Sequence, residues 1–310
     1  MKKIIYNKKT ALTIAMIILI SAMCSALTVQ NAAGEETRLS LGYTGSAFQD
    51  SNSNDVKAAV SVLIRKIAWK YFGKSEANYY ENSSEMVAAL KSGKVQVLCG
   101  PAEEYMGFRN LAPVEPILMT SSSSDPDIEL LLLVRKDSGI KSLSDLKNNS
   151  IILPPQNSKT KSFFLLWIET MLMRKGYSSI ETYFSTVKKS KTASQGIMPV
   201  FFRQADACVV TRHVLNLTVE MNPQLGKELV PIASIDKLSH GIISVDRRLP
   251  DETKNKIKQA FMSLPNSSDG KQLLMLFLVN KFLPFRPEYL TTTEALFAEH
   301  QRLKSKLTRR

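Results

Sequence analysis

Histidine and cysteine are both scarce in this chain, three of each among 310 residues, and the shortage limits the chemistry open to it. His213, His240 and His300 fall in no metal-ligand spacing such as HExxH. There is no glycine-rich phosphate loop, no G-x-S-x-G elbow and no paired carboxylate arrangement of the kind a hydrolase uses. No metal or cofactor is therefore expected. Internal repeats are also lacking, as are low-complexity tracts beyond Ser121–Ser124.

Charge is missing entirely from Ala11–Ala26, ALTIAMIILISAMCSA, which follows Lys2, Lys3, Lys8 and Lys9. The run is short for a bilayer, since a spanning helix needs about 20 apolar residues. A basic start, a short apolar run and small residues at Cys24 and Ala26 are the parts of a secretory signal. Residues 1–26 are expected to be a signal peptide, with cleavage before Leu27 or later, near Gly34. The remainder then works outside the cytoplasm, in the periplasm. An uncleaved anchor and a lipid anchor on Cys24 are the alternatives, the latter disfavoured by bulky Met23.

Cys99 and Cys208 remain after such processing. An oxidising compartment permits a bridge between them. Each lies in an apolar strand-like run, VQVLCG and DACVVT, which favours free, buried thiols.

At 44% hydrophobic and 22% charged, the composition is that of a globular protein. The net charge is +13, of which four lysines belong to the signal. A basic surface can serve nucleic acid, anionic lipid or a small anionic ligand, and export argues against nucleic acid. The basic residues between Arg302 and Arg310 account for part of the excess as a solvated helix end.

The pattern along the chain alternates between strands and helices. RLSLGY (Arg38–Tyr43) reads as a strand, followed by an amphipathic helix over Asp55–Phe72 that Gly73 ends. Asn82-Ser-Ser-Glu85 has the form of a capping box before a short helix, and Val95–Cys99 is the next strand. Ile128–Val134, IELLLLV, suits a strand buried on both faces or a segment passing between lobes. A small helix at Ser142–Leu146, a strand at Ile151–Leu153, an apolar helix over Ser162–Lys175 and a strand at Ala207–Val210 follow. Thr211 is placed to cap a helix that Asn222-Pro223 breaks. Leu229–Ala233 and Gly241–Val245 read as later strands, with helices over Asp251–Leu264, Lys271–Phe282 and Thr293–Leu307. An α/β unit, an apolar crossing, a second α/β unit and a return make a natural clamp.

Several segments resemble the phosphate/phosphite/phosphonate (PhnD-like) solute-binding proteins of ABC transporters. They are Met86-Val-Ala-Ala-Leu-Lys-Ser-Gly-Lys-Val95, Gly100-Pro-Ala-Glu-Glu-Tyr105, the stretch Leu132–Lys147, and Pro199–Arg212 with Asn222-Pro-Gln-Leu225. The resemblance runs over residues 38–285. It implies an α/β, two-lobed periplasmic-binding-protein-like fold of type 2, with a ligand cleft between the lobes. Lobe 1 is expected over 37–125 plus 236–310, including the C-terminal helices, and lobe 2 over 126–235. Phosphonate binders carry an Asp-Pro and a Ser-Thr-Ser-Gly-like run where this chain has Pro154-Pro-Gln-Asn-Ser-Lys-Thr-Lys161. Ser158 and Thr160 match, whereas the aspartate and glycine are missing.

The ligand-binding residues expected are Thr44, Gly45, Ser46, Tyr105, Asn157, Ser158, Thr160 and Arg212. The loop Gln156–Ser162 opens a helix, whose N-terminal N–H groups and partial positive charge suit an anion. Simple capping by its Ser and Thr residues is the competing reading. Thr44, Gly45 and Ser46 follow the first strand, where α/β folds hold ligands, or else they form a plain turn. Tyr105 stands over the ligand or packs at its turn. Arg212 pairs with an oxyanion or with a surface carboxylate. Asp206 reads as an anchor for its strand.

The function expected is capture of a small anionic ligand of the phosphate/phosphonate type. The partner would be an ABC transporter permease or a membrane-bound sensor, and the protein a monomer. An enzyme with Cys99 or Cys208 as nucleophile, and a sensory lobe without a transport role, are the alternatives. Neither cysteine has an activating partner near it in sequence.

Overall fold

The computed structural model describes residues 39–47, 53–73, 75–122, 127–155, 161–192 and 194–309. The expected signal peptide and the site residues Asn157, Ser158 and Thr160 lie outside these. Among the described residues the strands are, in order, β1 (Ser40–Thr44), β2 (Glu76–Tyr80), β3 (Val97–Pro101), β4 (Val114–Ser121) and β5 (Asp127–Arg135). There follow β6 (Ser150–Leu153), β7 (Thr186–Lys189), β8 (Ala207–Thr211), β9 (Leu229–Ser239), β10 (Gly241–Asp246) and β11 (Lys281–Pro284).

These strands make two sheets. One has the order β11-β4-β10-β3-β1-β2, the other β7-β6-β8-β5-β9. In the first, β1 runs parallel to β2 and β3, while β10 is antiparallel to β3 and β4. In the second, β6 is parallel to β7 and β8, and β5 is antiparallel to β8 and β9.

The IELLLLV run forms the centre of β5, and its alternation explains its composition. Leu130, Leu132 and Val134 enter one core cluster, and Leu131 and Leu133 enter another on the opposite face. All five are fully buried, so helices must cover both faces of this sheet, and no polar residue can be spared along it. The first sheet is likewise covered twice. Leu98 faces Met86 and Leu90 in one cluster, while Leu41, Val97 and Cys99 join Val60, Ile64 and Ile257 in a second.

Local signals place several helices. The Asn82 side chain accepts from the Glu85 N–H at 3.0 Å and its amide donates to the Glu85 carboxylate at 2.7 Å, starting the helix Ser83–Lys91. Thr211 accepts from the Val214 N–H at 3.2 Å and starts the helix Arg212–Met221. Asp206 accepts from the Ser150 N–H and hydroxyl at 2.8 and 2.6 Å, tying the starts of β6 and β8 together.

The chain passes between the sheets twice, once after β4, which ends at Ser121, and once through His240, between β9 and β10. His240 Nε2 lies 3.3 Å from Ser122 Oγ, so the two crossings touch. The Ala102 N–H donates to the His240 carbonyl at 3.1 Å. Next to it, the Gly241 N–H donates to Thr120 Oγ1 at 2.9 Å, and a Cβ at Gly241 would stand 2.8 Å from that oxygen. Only glycine lets β10 begin that close to β4.

The helix Thr291–Thr308 touches both halves of the molecule. Arg174 reaches Glu299 through two hydrogen bonds of 2.8 and 2.6 Å, and His300 meets Glu169 at 2.7 Å on the helix Phe163–Arg174. Glu294 pairs with Arg109, which follows the helix Ala102–Phe108. Sequence grouping puts this helix with the first lobe alone. Its side chains bridge to the second.

Candidate functional site

A cavity of about 990 Å³ lies where the two halves and their crossings meet, and it continues into the apolar interior of the six-stranded half. Ser46, Gly100 and Glu103 line it from the six-stranded side. Phe163, Phe164, Arg212 and His213 line it from the five-stranded side, with His240 at the crossing between.

On the six-stranded side the strand ends β1 and β3 deliver a hydroxyl pair and two carboxylates. Thr44 ends β1 and is fully buried, and Ser46 follows in the single 3-10 turn Gly45–Ala47. Thr44 Oγ1 donates to Glu104 Oε2 at 2.8 Å and lies 2.6 Å from Ser46 Oγ. Glu104 is only 1% exposed, and its Oε1 has no hydrogen-bond partner among the described residues. Gly100 matters here, because a Cβ would stand 3.1 Å from Glu104 Oε2. Glu103 lies on the cavity wall beside it. Burial pushes the Glu103 carboxyl up to about 7, and the neighbouring Glu104 charge pushes the same way against the backbone N–H groups of Glu103 itself and Phe163.

On the five-stranded side the helix Phe163–Arg174 opens on the cavity through Phe163 and Phe164. Its cap residue, Ser162, makes no side-chain capping bond. An α-helix leaves its first N–H groups without an acceptor inside the helix; here the cap side chain takes none of them, and the Phe163 N–H donates to the Glu103 carboxylate instead. Lys161 is not available to the cavity, since its ammonium holds Glu169 at 2.5 and 2.6 Å.

Arg212 starts the next helix and lines the cavity, but its guanidinium is engaged. Nε and Nη2 donate to Glu129 Oε2 and Oε1 at 2.9 and 2.8 Å. These bonds hold the Glu129 carboxyl below its ordinary range. Register explains the pair, because β5 and β8 align Leu130 with Thr211. Burial brings the His240 imidazole down to about 4, with His213 acting in the same direction, so the crossing carries a neutral ring.

Of the residues expected from sequence, Ser46 reaches the cavity directly and Thr44 stands behind it. Gly45 provides the turn between them. Arg212 is at the cavity but as half of an ion pair, so the carboxylate-pairing alternative describes its contacts. Tyr105 departs from the expectation of ligand contact. It is 7% exposed, packs edge-on against Phe108 and is absent from the cavity lining. Its helix turns the tyrosine into the core and leaves Glu103 toward the cavity. Glu103, Glu104 and Glu129 are the polar residues that sequence reasoning missed. The signal for the first two was the Glu-Glu pair inside the Gly100–Tyr105 turn.

Cys99 and Cys208 are both unpaired and buried, one in each sheet. Burial raises both thiols, Cys208 to about 12, so neither presents a thiolate at neutral pH.

Two α/β halves joined by two crossings around a shared cavity define a two-lobed periplasmic binding protein. Within that class the chain belongs to the family described as "ABC transporter, phosphonate, periplasmic substrate-binding protein", whose model matches residues 48–290. The family binds substrate for ABC transport and is not one of enzymes. Among solved structures, a Xanthomonas citri protein bound to ATP has a TM-score of 0.63 at 16% identity, covering 87% of this chain and 98% of its own. PhnD1 from Prochlorococcus marinus, in complex with methylphosphonate, has a TM-score of 0.59 at 16% identity and covers 86% and 98%. A binding protein component of an ABC phosphonate transporter from Pseudomonas aeruginosa has 0.57 at 17%, covering 87% and 88%. Likenesses at such identities establish the fold. A comparison with curated proteins gives no match.

Proposed function

We propose that this protein captures a small phosphonate-type oxyanion in the cleft between its lobes, and hands it to the permease of an ABC transporter. The lobes are residues 37–125 plus 236–310 and residues 126–235. The protein acts as a monomer in the periplasm, after removal of residues 1–26.

One observation carries the reading. The helix Phe163–Arg174 opens on the cavity with no side-chain cap at Ser162, so its partial positive charge faces the cleft, and its first N–H, that of Phe163, already holds an anionic group there, the Glu103 carboxylate. Asn157, Ser158 and Thr160, just before that helix in sequence, would supply further donors. Burial pushes the Glu103 carboxyl beside that helix start up to about 7, which reduces its repulsion of an anion. The Prochlorococcus marinus neighbour was solved with methylphosphonate, and that supports phosphonates as the ligand class.

Titration calorimetry of the mature protein with methylphosphonate tests the proposal. Saturable one-to-one binding is expected, accompanied by a raised unfolding temperature, since a ligand that binds only the folded state stabilises it. Absence of both for methylphosphonate, phosphite and phosphate would overturn it.

A further inference from the structure

The hydroxyl pair on the six-stranded wall has a direction. A carboxylate accepts hydrogen bonds and donates none, and Thr44 has a single hydroxyl proton. That proton goes to Glu104 Oε2, 2.8 Å away. The 2.6 Å contact between Thr44 Oγ1 and Ser46 Oγ must therefore use the proton of Ser46. Ser46 lines the cavity with its own proton already spent, so it turns lone pairs toward whatever the cleft holds.

The neighbouring groups have the same character. Glu104 is 1% exposed and has a second oxygen without a partner among the described residues, so nothing there competes to reverse the chain. Glu103, on the same wall, makes no ion pair among the described residues. This side of the cavity offers acceptors and the helix start offers donors, and one such pair is already made, the Phe163 N–H donating to the Glu103 carboxylate.

We propose that Ser46, oriented through Thr44 by the buried Glu104, is a donor-reading subsite. The captured ligand brings an N–H or O–H proton to Ser46 Oγ, and the cleft disfavours an oxyanion that has none. The inference rests on the oxyanion-capture reading above. The proton has two chemical sources, a protonated phosphonate oxygen or an ammonium on the ligand's alkyl arm.

Four ligands separate these sources: methylphosphonate, methanesulfonate, 2-aminoethylphosphonate and 2-aminoethanesulfonate. Only methanesulfonate has no donor at neutral pH. Calorimetry on the wild type should find it at least tenfold weaker than the best of the others, the scale of one lost hydrogen bond to a charged group. An advantage for methylphosphonate that fades as the pH rises through its second ionisation identifies the oxygen proton. An advantage for 2-aminoethanesulfonate over methanesulfonate identifies the ammonium.

Phosphonates and sulfonates also differ in charge, so two variants isolate the relay. Ser46→Ala should bring the donor-bearing and donor-free ligands to within about threefold of each other. Thr44→Val, which keeps the shape of the buried side chain, releases the Ser46 proton and should strengthen methanesulfonate binding by about fivefold or more. A discrimination ratio unchanged in both variants, or equal wild-type affinity for all four ligands, would overturn this inference while leaving oxyanion capture standing. Failure of all four to bind would overturn both.

Discussion

Glu103 offers the sharpest quantitative test of the cavity's electrostatics. Its carboxyl titrates near 4.5 when free and is pushed up to about 7 in the folded protein, chiefly by burial. Between those values the folded state binds more protons than the unfolded one. Stability must then fall as the pH rises through that window, and level off above it. A tenfold change in acidity corresponds to about 1.4 kcal/mol, so the ionised carboxylate costs on the order of 3 kcal/mol at pH 8. Glu103→Gln keeps the volume and removes the charge. At pH 8 the variant should be more stable by about 2–3 kcal/mol, or roughly 4–10 °C in unfolding temperature for a chain of this size. At pH 4.5 the two proteins should unfold alike. Chemical denaturation at both pH values measures this. Equal stability at pH 8, or a gap that widens in acid, would show that burial does not hold a proton on Glu103.

Other outcomes follow from the same contacts. Glu129→Gln removes the carboxylate that holds the Arg212 guanidinium, so oxyanion affinity should rise several-fold by calorimetry; unchanged affinity would place that guanidinium outside ligand contact. Cys99 and Cys208 should resist thiol reagents in the native protein and both react in denaturant, with an intact mass equal to that of the reduced chain. Rapid native labelling of either would contradict their burial.

Much of the fold was legible because strong signals were local. The continuous apolar run of β5 and the caps at Asn82 and Thr211 need only a few neighbouring residues to be read. β2 was missed, since EANYY lies half-exposed at a sheet edge without a clean alternation. β4 was hidden by Pro116, which the sheet tolerates where the β10 pairing shifts register beside Ser244. The apolar stretch from Leu273 fits a helix or a strand. The chain resolves it with a helix that stops at Leu276, a left-handed Leu278 (φ 52°) and then β11.

The site was less legible, for reasons of register and rotation. Arg212 meets Glu129 only because β5 and β8 align antiparallel, a pairing 83 residues apart that no local pattern encodes. Glu103, Glu104 and Tyr105 are consecutive on one short helix, so a rotation of about 100° per residue decides which faces the cavity. Sequence offered three polar residues there. Packing of Tyr105 against Phe108 turned the tyrosine inward, and the two carboxylates took the positions toward the cleft and Thr44.

Everything proposed for this protein turns on an oxyanion binding between the two walls, and a crystal structure of the mature protein with methylphosphonate decides it. The phosphonate is expected at the start of the helix Phe163–Arg174, its oxygens on backbone N–H groups of that first turn and within hydrogen-bond reach of Ser46. A ligand bound in solution yet found outside this cavity, or held without either wall, would contradict the proposal.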